Sequence, residues 1–372
     1  MSEKQGSDVS RRALLGATAA AGAMGVLSCA RAQETKTAPA NKNLKVPQSG
    51  YEYERVPLRK DVITMSAVQS RVRAVDGSNP RRGIRDNLNH MVELIDKAQF
   101  YGGKKDLLCF HEFPITGWST WSRKEILRLA IEIPGPETEV IAKKAREHEC
   151  YIKFGSYAVD KDWPNHVLSI TTIIDPRGEI IARDWKARNI KGVFPGFELF
   201  TTTIYNVLDQ YIEMYGEDAV IPVHRTDIGN LATSSMQMEP ELFRAMAMKG
   251  AEILLRTATG GFQIDDIKMT AMYNRVYSSV VNNAVSPNNP GFMDDAGSGG
   301  STIFGPGGEV LAQAESKFAQ AVTARINMAE FRARHSIPDV HMALYKPVFA
   351  QYNPRYAPGL FEQYQPTGLQ DA

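Results

Sequence analysis

Between residues 61 and 330 short apolar runs alternate with longer segments of helical periodicity, and this alternation narrows the folds open to the chain. "DVITMSAVQS" reads as a strand. "GIRDNLNHMVELIDKAQFYGG" then sets Ile84, Leu88, Met91, Leu94, Ile95 and Ala98 on one helical face and stops at a Gly pair. "KDLLCFHEF" is a second strand, ending at Glu112. "PGPETEVIAKKAREHEC" is a helix with proline and acidic residues in its first turn and basic ones later, as the helix dipole favours. "YIKFGSYAV", "HVLSITTIID" and "EIIARDWKA" read as three strands, the last two joined by the turn "PRG". Residues 189–219 read as a long irregular insertion, a length usually kept for binding elements. Two strand–helix units and three strands follow, "AVIPVHRTDIGNLATSS", "AEILLRT", "YSSVVNNAV", "GGSTIFGPGGEVLA" and "FAQAVTARI". The pattern predicts an α/β fold of mixed sheets covered by helices.

The flanks read differently. "SRRALLGATAAAGAMGVLSCARAQ" carries Arg11 and Arg12 ahead of an Ala/Gly-rich run too short and mild to span a membrane, so residues 1–32 are expected to be a twin-arginine signal peptide. Export to the periplasm or beyond follows from that; the competing reading is a lipoprotein signal anchored through Cys29. Residues 33–60 read as a linker or extended arm, and 331–372 as an irregular Pro- and Tyr-rich tail of the kind that wraps a partner subunit. Forty-three basic and 42 acidic residues, well interspersed, argue against a nucleic-acid or acidic-membrane partner. Cys109, inside "DLLCF", reads as buried and inert; with Cys150 it leaves room for one disulfide. The seven histidines are scattered without zinc-site spacing, so neither metal nor cofactor is expected.

Three positions carry chemistry. Glu112 closes a buried strand, where ligands of α/β folds bind, although a carboxylate there can equally be a surface ion-pair member. Lys186, beside Trp185 at another strand end, is by itself more simply a solvated charge. Ser234 and Ser235 stand between a strand and a helix, where serines ordinarily serve as caps. Met236, Met238, Leu242, Phe243, Ala245 and Met246 around them read as core.

Taken in order, the segments resemble the nitrilase, or carbon–nitrogen hydrolase, superfamily over nearly all of residues 61–330. "FHEFPITGW" looks like the strand ending in the family's general-base glutamate, giving Glu112. "NHVLSITTIIDPRGEIIARDWK" looks like its Asp-Pro-x-Gly-Glu hairpin and catalytic lysine, giving Lys186. "IGNLATSSMQMEPELFRAMAMKGAEILL" looks like the nucleophile strand, Pro-Glu turn and helix, and "AMYNRVYSSVVNNA" and "GGSTIFGPGGEVLA" resemble the two closing segments. Each alone is weakly specific; five in the family's order are strong. The resemblance implies a four-layer αββα sandwich, a Glu–Lys–Cys catalytic set, a small amide or nitrile substrate and a homo-oligomer built from dimers. Family members carry the cysteine seven residues before the glutamate of the Pro-Glu turn. Here that glutamate is Glu241, so the nucleophile position is Ser234, and Met236 replaces a usual Asp.

The exchange matters chemically. A thiol with a pKa of ~8.5 can give its proton to a buried carboxylate, but a serine hydroxyl is several units less acidic, at about 1.4 kcal/mol per unit. Ser234 would therefore need help from Glu112 or from a neutral Lys186. The alternatives are non-covalent hydratase or lyase chemistry by Glu112 and Lys186, or an inactive ligand-binding or assembly protein. Glu198 in "VFPGFELF" resembles an additional acidic residue that many members place in this loop, and reads equally as a rim carboxylate. Phe113, Trp118, Ser235, Met236 and Phe194 are the candidate substrate-binding residues; Phe113, Trp118 and Phe194 suit a pocket wall or a core equally.

Overall fold

The computed structural model describes residues 44–47, 52–189, 201–286, 297–362 and 365. Among the described residues fourteen strands, numbered in chain order, form two mixed sheets. The first contains β1 (Val62–Gln69), β2 (Leu107–Phe110), β3 (Ile131–Glu132), β4 (Tyr151–Asp160), β5 (Trp163–Ile174), β6 (Ile180–Trp185), β7 (Thr201–Thr202) and β14 (Gln320–Asn327). Its order is β14-β1-β2-β4-β5-β6, with β3 beside β4 and β7 beside β5. The second contains β8 (His224–Thr226), β9 (Gly229–Ser234), β10 (Ile253–Thr257), β11 (Tyr277–Val281), β12 (Thr302–Phe304) and β13 (Val310–Gln313), in the order β13-β12-β11-β10-β9-β8.

Period-two alternation assigns each strand's two faces. Leu107 and Cys109 of β2, Leu231 of β9, and Ile253 and Leu255 of β10 point into a core shared by the sheets. Leu108 and Phe110 point the other way, against α1 (Arg81–Phe100) and α3 (Pro136–His148). Ala232 and Leu254 likewise face α5 (Pro240–Met248), and α6 (Ile264–Asn274) covers β11. The layers are thus helix, sheet, sheet and helix, as expected. β1, β2 and β4 are mutually parallel, as are β9, β10 and β11, so these strands end in the same direction within each sheet.

Several local expectations need correction. β2 ends at Phe110, two residues before Glu112. The described part of 189–219 is largely ordered into turns of helix and α4 (Leu208–Tyr215), because Ile204, Val207 and Tyr211 bury in the first sheet's outer core. A short helix, α2 (Arg123–Leu129), follows the capping box of Ser122 and Glu125. The tail is partly helical, with α7 (Met328–Arg334) and α8 (Met342–Gln351). Pro347 suggested irregular chain there, yet α8 continues across it. Cys109 and Cys150 are buried free thiols rather than a disulfide.

The arm preceding β1 is tied to the domain through Glu252, which is fully buried at the start of β10. Its carboxylate accepts from Tyr53 Oη (2.7 Å), the Asn230 amide (2.7 Å) and, at 2.8 Å each, Nε and Nη2 of Arg332 on α7. One buried acid therefore joins the arm, two strands and a C-terminal helix. Removing one partner of such a pair strands a buried charge. Arg332→Met is expected to destabilise the fold by about 3–5 kcal/mol in urea denaturation; an unchanged midpoint would contradict this role for Glu252.

Candidate active site

Glu112 follows β2 in a tightly packed bend. His111 is fully buried, and burial pushes its imidazole down to about 3, so it is neutral. Its Nδ1 accepts the Phe113 amide proton at 3.2 Å, which turns the chain at Glu112. On β4, Gly155 donates its amide to the His111 carbonyl at 3.1 Å. A Cβ at Gly155 would stand 2.4 Å from the Glu112 carbonyl oxygen and 2.8 Å from its Cα. The absence of a side chain there is what lets the glutamate's backbone lie against β4.

Lys186 leaves β6 with its amide donated to Ser169 at 2.9 Å and its carbonyl accepting from Ile204 at 3.1 Å. Its Nζ lies 3.8 Å from Glu112 Oε1, and the two side chains are only 4% and 7% exposed. The structure therefore brings these two charges together in a desolvated place, where their attraction is strong.

Ser234 ends β9, half-buried, in register with Arg256 of β10. Its Oγ accepts the Met236 amide proton at 3.0 Å. The turn beyond it is clamped. Arg256, nearly fully buried, donates to the Met236 carbonyl and to Asp266, each at 2.6 Å, while its guanidinium lies over Phe243. Asp266 accepts the amide of Met238, whose φ of +57° is unusual for a residue with a side chain. Arg188 pairs with Glu239, joining the segment after Lys186 to this turn.

A second tie crosses between the sheets. Thr233 Oγ1 donates to Asp184 Oδ2 at 2.6 Å, and Asp184 Oδ1 meets His224 Nε2 at 2.8 Å. Burial alone would lower the His224 pKa, but the charge and hydrogen bond of Asp184 outweigh it and shift it upward. Thr233 precedes Ser234 and Asp184 lies two residues before Lys186, so this bond fixes one strand end against the other.

The remaining candidates are distributed as follows. Phe113 stacks on Tyr157 at 4.4 Å and lies with Trp118 inside the core of the first sheet. Met236 is fully buried beside Phe243 and Met246, and Ser235 is half-buried next to Ser234. Phe194 and Glu198 lie outside the described residues. The local reading passed over Gly155, Asp184, Thr233, Arg188 and Arg256. A charge inside the apolar run "AEILLRT" was the available signal for Arg256. Cys109 is inert as expected, its thiol pushed up to about 12 by burial. Among the described residues Asp96, Glu147 and His148 have metal-ligand spacing, but the Lys144 ammonium already bonds both acids at 2.8 and 2.9 Å.

Residues 71–335 match the family described as carbon–nitrogen hydrolase. Formamidase of Helicobacter acinonychis is 25% identical over 214 residues, covering 55% of this chain and 58% of that protein. A Bacillus cereus formamidase is 27% identical over 215 residues, covering 54% and 57%. The chain thus spans little more than half the length of these relatives. Among solved structures, a carbon–nitrogen hydrolase from Helicobacter pylori superposes with a TM-score of 0.58 at 16% identity, covering 78% of this chain and 99% of that one. A Nesterenkonia amidase of the nitrilase superfamily gives 0.54 at 16% identity over 82% and 99%.

The close approach at Gly155 makes a specific demand. Gly155→Ala is expected to displace the Glu112 backbone and lower stability by about 1–3 kcal/mol, the usual range for overpacking. Thermal or urea denaturation together with a crystal structure checks it; wild-type stability with Glu112 unmoved would contradict the steric account.

Proposed function

Because the chain belongs to the carbon–nitrogen hydrolase family, we propose that it hydrolyses the C–N bond of a small amide or nitrile, with Glu112 as general base, Lys186 as oxyanion stabiliser and Ser234 as nucleophile. The observation that carries this reading is the buried Glu112–Lys186 pair at 3.8 Å, an arrangement a purely structural scaffold has little reason to keep. On an amide, Ser234 Oγ attacks the carbonyl carbon as Glu112 takes its proton. The Lys186 ammonium holds the oxyanion. Collapse breaks the C–N bond, the proton passes from Glu112 to the leaving nitrogen, and an acyl ester remains on Ser234. Water then attacks that ester with Glu112 again as base, releasing the acid and restoring the hydroxyl. Glu198 is proposed to orient Lys186, and Ser235 and Met236, with Phe113, Trp118 and Phe194, to shape the substrate's surroundings.

The formamidase relatives point to very small amides, and we take formamide and acetamide as first substrates. The Arg11–Arg12 leader supports export by the twin-arginine route, with anchoring through Cys29 as the alternative. Homo-oligomerisation is also proposed, because every residue of α8 is exposed, including Leu344, Val348 and Phe349.

Ammonia release from a panel of short amides and nitriles tests the reading. Glu112→Gln is expected to lose about 10²–10⁴-fold of the rate, Lys186→Met about 10²–10³-fold, and Ser234→Ala nearly all of it. Activity surviving Ser234→Ala but not Glu112→Gln would establish non-covalent chemistry instead. Activity seen only in Ser234→Cys would mark a silenced site. For the assembly, truncation after residue 335 is expected to reduce the mass seen by light scattering to that of a smaller species; an unchanged mass would remove α8 from the interface.

A further inference from the structure

The third residue of β4 is Lys153, in a strand whose neighbours Tyr151, Ile152 and Phe154 are all buried. Register places it between Cys109 of β2 and Ile173 of β5, both on the face that packs against the second sheet. Lys153 is 0% exposed. Its Nζ donates to the Phe110 carbonyl at 3.1 Å and approaches the Arg256 carbonyl at 3.4 Å. Among the described residues these are its only hydrogen-bond acceptors, and no carboxylate lies within ion-pair distance. An ammonium so placed is strongly disfavoured unless something offsets its desolvation.

The location suggests what it serves. Phe110 is the last residue of the strand that delivers Glu112, and Arg256 pairs in register with Ser234. Among the described residues the titratable and charged neighbours leave one candidate counter-charge. Cys109 keeps its thiol proton, His111 is neutral, and Arg256 is itself a cation engaged with Asp266. Glu112, two residues beyond the Phe110 carbonyl that Lys153 bonds and packed by its backbone against Gly155 of the same strand, is the carboxylate whose charge acts on Lys153, and Glu112 also meets Lys186.

We propose that Lys153 is a positioning residue that holds Glu112 in its carboxylate form while bridging the strands that carry Glu112 and flank Ser234. It touches no substrate. Its relevance to catalysis rests on the reading of Glu112 as general base. A second cation near a buried acid opposes the tendency of burial to protonate it, and a protonated Glu112 could not accept the nucleophile's proton. Burial lowers the pKa of Lys153 itself to about 8, so it remains charged throughout the range in which carboxylates titrate.

The test follows the Glu112 carboxyl directly. In protein carrying carboxyl-labelled glutamate, the Glu112 resonance is assigned by its loss in Glu112→Gln and titrated by NMR in wild type, Lys153→Met and Lys153→Gln. Met removes charge and hydrogen bonds; Gln keeps a donor without the charge, and is the variant read if Lys153→Met fails to fold. The Glu112 midpoint is expected to rise in both, by about one unit or tenfold in proton affinity; an unmoved midpoint would overturn the inference. The acid limb of ammonia release from formamide should move to higher pH with it. If wild type releases no ammonia from any amide, the hydrolase reading fails while the titration still decides the role of Lys153. A second signature is independent of activity. With the folded-state pKa near 8 and the unfolded value near 10.5, the unfolded chain binds more protons between them, so stability should rise with pH across that window. Both variants should lose that rise, and its persistence would place the titrating group elsewhere.

Discussion

The rest of the structure depends on the burial of one apolar face of each sheet against the other. Ile63, Met65, Leu107 and Ile173 from the first sheet meet Leu231, Ile253, Leu255 and Ile303 from the second. With the helices covering the outer faces, each strand can hold only one register, since a slip of one residue would reverse inside and outside. That constraint brings three strand ends together along one seam. Lys153 joins the end of β2 to β10, and Thr233 at the end of β9 meets Asp184 near the end of β6. The candidate site is a consequence of how the sheets stack.

Electrostatics are what make the seam chemically unusual. Glu112, Lys186, Lys153 and Arg256 are all buried, in a region where the hydrophobic effect would favour apolar residues. Arg256 and Asp266 hold the turn after Ser234, so that pair has a structural use. On the proposed reading, the proximity of Glu112 and Lys186 prepares the site for charge that develops on a substrate. With Ser234 as the proposed nucleophile, this preparation becomes more important. A hydroxyl needs a stronger or better-placed base than a thiol, and in the proposed mechanism the cations near Glu112 govern how often it is available as a base.

The fold was legible because its signals are periodic. Alternation in "DVITMSAVQS" and the helical spacing from Ile84 to Ala98 each follow directly from which face is buried. Glu112 and Lys186 were singled out through family order, since neither stands out from its local sequence, and the structure places them 3.8 Å apart. Other features depend on distant partners. Asp184 and Thr233 are ordinary polar residues until the sheets stack and place them 2.6 Å apart. Gly155 looks like a flexible point in "YIKFGSYAV", and only the backbone of Glu112 against it shows why a side chain is excluded. Lys153 in the same segment did leave a trace, a lone charge within an apolar strand. The helicity of α8 was hidden by Pro347 and by the absence of any buried face within this chain.

The central claim is that Ser234 becomes acylated with Glu112 as its base. Mass spectrometry after quenching during turnover of an activated acetyl ester tests this most directly, because a good leaving group makes hydrolysis of the acyl-enzyme the slow step. The account predicts an acetyl group on the peptide containing Ser234, absent from Ser234→Ala and strongly reduced in Glu112→Gln. Turnover with Ser234 unmodified at every quench time would contradict it.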